Sequence, residues 1–66
     1  MKGYYEIIII YDKDCGDVIC FRHNGFVNDE NDIVTQAVKK GFLGEESRKY
    51  VRWARSVSEY EYDHIK

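Results

Sequence analysis

The chain has 66 residues, a net charge of −2, and 44% hydrophobic and 33% charged residues. This length indicates a single domain, residues 1–66. The hydrophobic core of so short a chain is small, which leaves little room for a catalytic pocket. The composition excludes a disordered tail, and the longest apolar run, residues 7–10, is far shorter than the ~20 residues of a membrane span. With no secretory signal before that run, we expect a cytoplasmic, non-enzymatic protein with no membrane partner.

The first third of the chain predicts a β-hairpin. Residues 4–11, YYEIIIIY, are β-branched or aromatic on both alternating faces, which is typical of a central strand. Residues 17–23, DVICFRH, predict the second strand. The connection, residues 12–16, contains Gly16, which is free to take a positive φ in the turn.

Residues 28–41 predict a helix. Asn28 or Asp29 provides an N-cap, and Gly41 provides a stop. Apolar residues recur at helical spacing on one stripe, which we expect to cover one face of the sheet. These residues are Ile33, Val34, Ala37 and Val38.

Residues 50–57 fit either a strand or a helix. Their charges slightly favour a helix, but a two-stranded sheet is marginal in water, so we interpret them as the third strand. Ser58 and Glu61 form a Ser-x-x-Glu capping box, which predicts a short closing helix. The predicted fold is therefore a small α+β domain of ββαβ(α) order. Its three-stranded antiparallel sheet has the order 2-1-3, with one helix packed on one face.

Cysteine and histidine residues raise the question of a zinc or redox site. The spacing of Cys15, Cys20 and His23 resembles half of a zinc site, and the distant His64 would be a further ligand. In a strand, however, Cys20 and His23 lie on opposite faces, so we predict no metal and no cofactor. A metal- or redox-responsive role for Cys15 and Cys20 remains as a second alternative.

The hairpin connection also contains part of a calcium-loop pattern, Asp12, Asp14 and Gly16. The pattern is incomplete, because His23 stands at the twelfth position, where a calcium loop carries a bidentate glutamate. Acids beside a glycine are equally typical of a solvated turn. No residue pattern supports a nucleophile, a base and an oxyanion site together, so we predict no catalytic residue.

Residues 48–55, RKYVRWAR, interleave basic and aromatic side chains, as binding surfaces do. The predicted protein-binding residues are Tyr50, Arg52, Trp53, Arg55, Tyr60 and Tyr62. The alternative prediction is a nucleic-acid-binding surface that uses Arg48, Lys49, Arg52 and Arg55. The net negative charge favours the protein partner. Replacing Arg52 and Arg55 together by alanine should then weaken a partner complex and leave the melting temperature nearly unchanged.

These features together predict a protein-binding module that acts as a stoichiometric inhibitor or an adaptor. In size and form the chain resembles the miniature proteins that phages and mobile elements encode against host machinery, including anti-CRISPR and other anti-defence proteins. That resemblance implies another protein as the partner, and it rests on no motif. The open edges of a small sheet also predict a homodimer paired through one edge.

Overall fold

A computed structural model describes residues 2–65 of the chain, without the side chains of Lys2 and Ile65. Strand β1 (Lys2–Asp12) is followed by β2 (Cys15–Asn24) and helix α1 (Glu30–Lys39). A 3₁₀ helix (Glu45–Tyr50), strand β3 (Val51–Val57) and helix α2 (Glu59–Ile65) complete it. The sheet is antiparallel in the order β2-β1-β3, which confirms the predicted α+β fold and topology.

The isoleucine run lies at the centre of the sheet, as its composition predicts. Ile7 and Ile9 are fully buried on the face that α1 covers, beside Phe21 of β2. The buried side chains of α1 are Ile33, Val34 and Ala37, with Val38 packed against the core. The predicted apolar stripe therefore forms the main core between α1 and the sheet.

The ends of α1 follow the predicted capping chemistry. Asp29 is the N-cap and accepts a hydrogen bond of 2.9 Å from the backbone N–H of Asp32. At the other end, the N–H groups of Gly41 and Phe42 bond to the carbonyls of Val38 and Ala37, which is a Schellman motif. Gly41 has a φ of 85°, a left-handed backbone conformation that glycine adopts more readily than other residues do.

The hairpin differs from the prediction in its turn. Only Lys13 and Asp14 separate β1 from β2, and a bulge at Tyr11 shifts the register. Gly16 lies within β2 and does not take the positive φ that the predicted turn would have allowed. Its missing side chain matters because a Cβ there would lie 2.7 Å from the carbonyl oxygen of Ile9.

Strand β3 begins one residue later than predicted, since Tyr50 is the last residue of the 3₁₀ helix. A second bulge, at Arg52, then changes which residues of β3 lie on each face of the sheet. Trp53 pairs with Ile8, but Val51 pairs with Ile9 and packs against the core on the opposite face. The bulge thus places Val51 rather than Arg52 opposite Ile9.

Helix α2 lies against the face of the sheet opposite α1. Its capping box forms as predicted: the Glu61 N–H donates to Ser58 Oγ (3.0 Å), and the Ser58 N–H donates to Glu61 Oε1 (3.1 Å). Tyr62 packs on Tyr4, with ring centroids 4.9 Å apart. The face that the sequence predicts to be open is therefore covered at one end. No helix within residues 2–65 is long and apolar enough to span a membrane.

Candidate interaction surfaces

The sheet face opposite α1 consists of cross-strand rows of different chemistry. Under α2, Val57 is buried beside Tyr4. The next row contains Cys20, Glu6 and Arg55, and the row beyond it contains Val18, Ile8 and Trp53. Polarity therefore changes along the face, from a covered end through a charged row to an uncovered apolar end.

We call the uncovered apolar end the open half-face, and it consists of Ile8, Ile10, Val18 and Trp53. Ile10 is 44% exposed, Val18 is 47% exposed and Trp53 is 36% exposed. Ile8 lies between Val18 and Trp53 in the register, so the side chains are contiguous across all three strands. Clustered exposed apolar side chains of this kind mark interaction sites more often than isolated ones do.

Arg55 connects the open half-face to a buried carboxylate. Its Nε donates a 2.9 Å hydrogen bond to Oε1 of Glu6, which is only 5% exposed, and its Nη2 lies 3.6 Å from Glu61. The pKa of Arg55 is raised, chiefly by its hydrogen bond to Glu6. The guanidinium also lies 5.2 Å from the centroid of the Trp53 ring, so the indole rests against a fixed cation.

The other predicted partner-binding residues lie around this surface. Tyr50 contacts Tyr11 edge-on at 5.2 Å, and Arg52 is exposed at the β3 bulge. On α2, Tyr60 is 71% exposed and stacks on His64. Trp53, Arg55 and Tyr62 contribute to one face of the sheet, whereas Tyr50 and Arg52 lie at its bulged end.

The predicted nucleic-acid surface is not a set of free cations. The Arg48 guanidinium donates hydrogen bonds to the side chains of Asn31 and Thr35 in α1, and it lies 3.7 Å from the Glu45 carboxylate. These contacts hold the 3₁₀ helix against α1. Arg55 is paired with two carboxylates. Lys49 lies over the Tyr50 ring. Within residues 2–65, Arg52 alone of the four predicted cations makes no ion pair, hydrogen bond or ring contact through its side chain.

Cys15 and Cys20 are both free thiols. They are five residues apart along β2, a separation of about 16 Å in an extended strand, and a disulfide requires Cα atoms within about 7 Å. Burial and the neighbouring Glu6 raise the pKa of Cys20. The described residues contain no group of three or more His, Cys, Asp or Glu side chains placed to hold a metal ion.

The hairpin acids and the histidines have local roles. Asp12 Oδ1 accepts the N–H of Asp14 at 2.8 Å, which stabilises the turn. His64 Nδ1 lies 2.8 Å from the carbonyl oxygen of Tyr60 in its own helix. His23 lies near the end of β2 opposite Gly3, and its buried Nδ1 has no hydrogen-bond partner among the described residues.

A groove lies at the outer edge of β2, beside residues 20–24. It has a volume of about 550 Å³ and we call it the β2 groove. Its lining residues are Cys20, Phe21, Arg22, Asn24, Lys40, Phe42 and Tyr62. No sequence pattern predicts it, because its walls come from residues that follow α1 and from Tyr62 of α2, which are distant in the chain.

No protein-family model matches the chain, and neither the curated proteins nor the solved structures include a significant match to it.

Proposed function

We propose that this protein is a non-enzymatic protein-binding module that docks through the open half-face. The observation that carries the proposal is the exposure of Trp53, Ile10 and Val18 together on one side of the sheet. The chain buries isoleucines efficiently on the α1 side and covers the Tyr4 end with α2, yet it leaves this apolar end uncovered. A protein partner with an apolar patch would remove these side chains from water.

The arrangement around Trp53 supports a protein partner for a second reason. Arg55 is fixed by Glu6 and Glu61, and it contacts the indole ring. An aromatic side chain held in place before binding loses little conformational entropy when a partner covers it. Tryptophan and arginine are also the residues most enriched among interface hot spots, where truncation to alanine costs about 2 kcal/mol or more of binding free energy.

The remaining predicted residues fit a rim around this centre. Tyr50 and Arg52 flank the bulged end, and Tyr60 and Tyr62 lie on α2. A module of this kind acts by occupying a surface, as a stoichiometric inhibitor or an adaptor does. The resemblance to phage and mobile-element anti-defence proteins is one of size and form, and it selects no target.

Nucleic acid is the less favoured partner. Two of the four cations proposed to neutralise phosphates, Arg48 and Arg55, already lie beside carboxylates. The chain as a whole carries a net charge of −2. Binding to nucleic acid depends on the release of counterions from phosphates, for which free cations are needed.

The proposal is tested by affinity purification from cells that naturally express the protein. Three immobilised forms are compared: the wild type, the double variant Val18→Ser and Trp53→Ser, and the control Phe26→Ser. Phe26 is 79% exposed in the loop after β2, so its replacement removes a comparable aromatic side chain outside the open half-face.

We expect a protein that the wild type and the Phe26 variant retain at equal levels and that the double variant loses. Nuclease treatment should leave that protein bound. Equal recovery by all three forms would contradict docking through the open half-face. Recovery that disappears with nuclease would favour the nucleic-acid alternative.

A further inference from the structure

The β2 groove has features of a second binding site, separate from the open half-face. Its floor is the outer edge of β2, which has no strand neighbour within residues 2–65. The strand is ten residues long, and its residues 20–22 and 24 line the groove. An unpaired strand edge of this length presents a row of backbone N–H and C=O groups to which another extended chain can bond.

Side chains line both sides of this edge. Phe21 lies on the α1 side of the sheet and packs against Phe42, with ring centroids 5.8 Å apart. Cys20 and Arg22 lie on the α2 side with Tyr62, which packs on Tyr4. The groove therefore continues around the edge, with the residues after α1 on one side and α2 on the other.

The charge of the β2 groove is positive. Arg22 and Lys40 line it, and none of its lining residues is a carboxylate. Within the described part of the chain, neither cation forms an ion pair or a hydrogen bond through its side chain. Two unpaired cations at one groove of an acidic chain favour an anionic occupant.

We infer that the β2 groove binds an extended acidic segment of a partner protein, which adds to the sheet as a fourth strand beside β2. Main-chain hydrogen bonds to the β2 edge supply affinity, and alternate side chains of the segment enter the two sides of the groove. Because Lys40 and Arg22 lie on opposite sides, two consecutive acidic residues of the segment would reach one cation each. Apolar residues beside them would contact Phe42 and Tyr62.

A second copy of this chain is a poorer occupant of the same edge. Pairing of β2 with β2 around a two-fold axis brings the same cations of both copies, Arg22 and Lys40, to one interface. Like charges placed together across an interface oppose association. The acidic segment carries the opposite charge, so its association with the groove meets no such repulsion.

The first test measures binding of fluorescent peptides of about eight residues, the length of a typical strand. One pool has a central Glu-Asp pair with randomised apolar flanks, and the matched pool has a central Lys-Lys pair. We expect the acidic pool to bind at least about tenfold more tightly at low salt. N-methylation of alternate peptide nitrogens should abolish binding, because it removes the main-chain donors.

The matched protein variants are Arg22→Glu with Lys40→Glu, and Lys39→Glu as the control. Lys39 is exposed at the same end of α1 but does not line the groove. The double variant should reverse the preference between the two pools, and the control should keep it. Circular dichroism melting checks that both variants remain folded.

Thiol alkylation reports the location of the peptide. Cys20 lines the groove, whereas Cys15 is exposed near the turn of the same strand. At a peptide concentration about ten times Kd, alkylation of Cys20 should slow about tenfold while that of Cys15 is unchanged. Peptide mapping by mass spectrometry measures both rates in one sample.

Equal affinity for the two pools, no acidic binding at millimolar concentration, or unchanged Cys20 alkylation would each overturn the inference. So would a dimer of this chain that the peptide dissociates, since a second copy would then occupy the groove. The four residues of the open half-face do not line the β2 groove, and Tyr62 of the proposed rim is the one predicted partner-binding residue that does. Each of these results therefore leaves docking through the open half-face standing.

Discussion

Arg55 is the residue whose role changes most between sequence and structure. From the sequence, Arg55 is a solvated side chain that can be removed with little effect on stability. In the structure it neutralises Glu6, which is 5% exposed at the centre of the sheet. Removing one member of such a pair leaves a desolvated charge without a partner, which is more costly than removing both.

We therefore predict that Arg55→Ala lowers the melting temperature, whereas Arg52→Ala does not. The double variant Glu6→Gln with Arg55→Ala should recover part of the loss, because the buried charge is then absent. Thermal melts of the three variants measure this coupling. Equal melting temperatures for Arg55→Ala and the wild type would contradict a structural role for the ion pair.

Cys20 gives a second prediction at the scale of a residue, and it concerns pH. Burial, and to a lesser extent Glu6, raise the pKa of its thiol, so the folded state holds the thiol proton more tightly than the unfolded state does. This contribution to stability is complete below the pKa of the unfolded thiol. It is lost as pH rises through the higher pKa of the folded state.

The measurement is the alkylation rate of Cys20 against pH in native buffer and in denaturant. We expect the midpoint of the native profile to lie at higher pH, since the thiolate is the reactive form. Cys20→Ser should reduce the loss of stability between neutral and alkaline pH. Coincident midpoints in the two solvents would show that the thiol is not desolvated.

At the scale of elements, α2 depends on its cap because it is short. Ser58→Ala removes the acceptor for the Glu61 N–H and should lower the free energy of unfolding by about 1 kcal/mol. Ser56→Ala is the matched control, since Ser56 side-chain atoms make no hydrogen bond within the described residues. Urea denaturation measures both. Identical unfolding midpoints for the two variants would mean that α2 contributes little to stability.

The elements that could be predicted are those with a local signal. Residues close together in the sequence are enough to predict the apolar stripe and the Asp29 cap of α1. The same is true of the capping box of α2 and of the central strand β1. The 3₁₀ helix and the two bulges have no such local signal. The bulges at Tyr11 and Arg52 arise where three strands must align apolar residues on one face, which no single segment specifies.

The candidate site shows the same division. The residue types of Trp53 and Arg55 predict a binding role, but the pairing of Arg55 with Glu6 joins residues 49 positions apart. It depends on the register of β1 with β3, in which these two residues are opposite. The β2 groove likewise requires the residues after α1 and Tyr62 of α2 to be placed beside β2 in three dimensions. Pairings of this kind follow from topology and not from local sequence.

At the scale of the whole molecule, the two faces of the sheet should differ in their sensitivity to mutation. Ile7 is fully buried against α1, whereas Ile10 of the same isoleucine run is 44% exposed. We predict that Ile7→Ala lowers the free energy of unfolding by about 2–5 kcal/mol. Ile10→Ala should change it by less than about 0.5 kcal/mol. Chemical denaturation compares the two, and similar losses would show that the open half-face is packed in solution.

Site-specific photo-crosslinking in cells that naturally express the protein tests the central claim most directly. A benzophenone amino acid replaces Val18 in the open half-face, or Phe26 in the loop after β2 as the control. The account predicts a discrete protein adduct from position 18 that position 26 does not give, and that Trp53→Ser abolishes. Adducts from position 26 alone, or no protein adduct from position 18, would contradict docking through the open half-face.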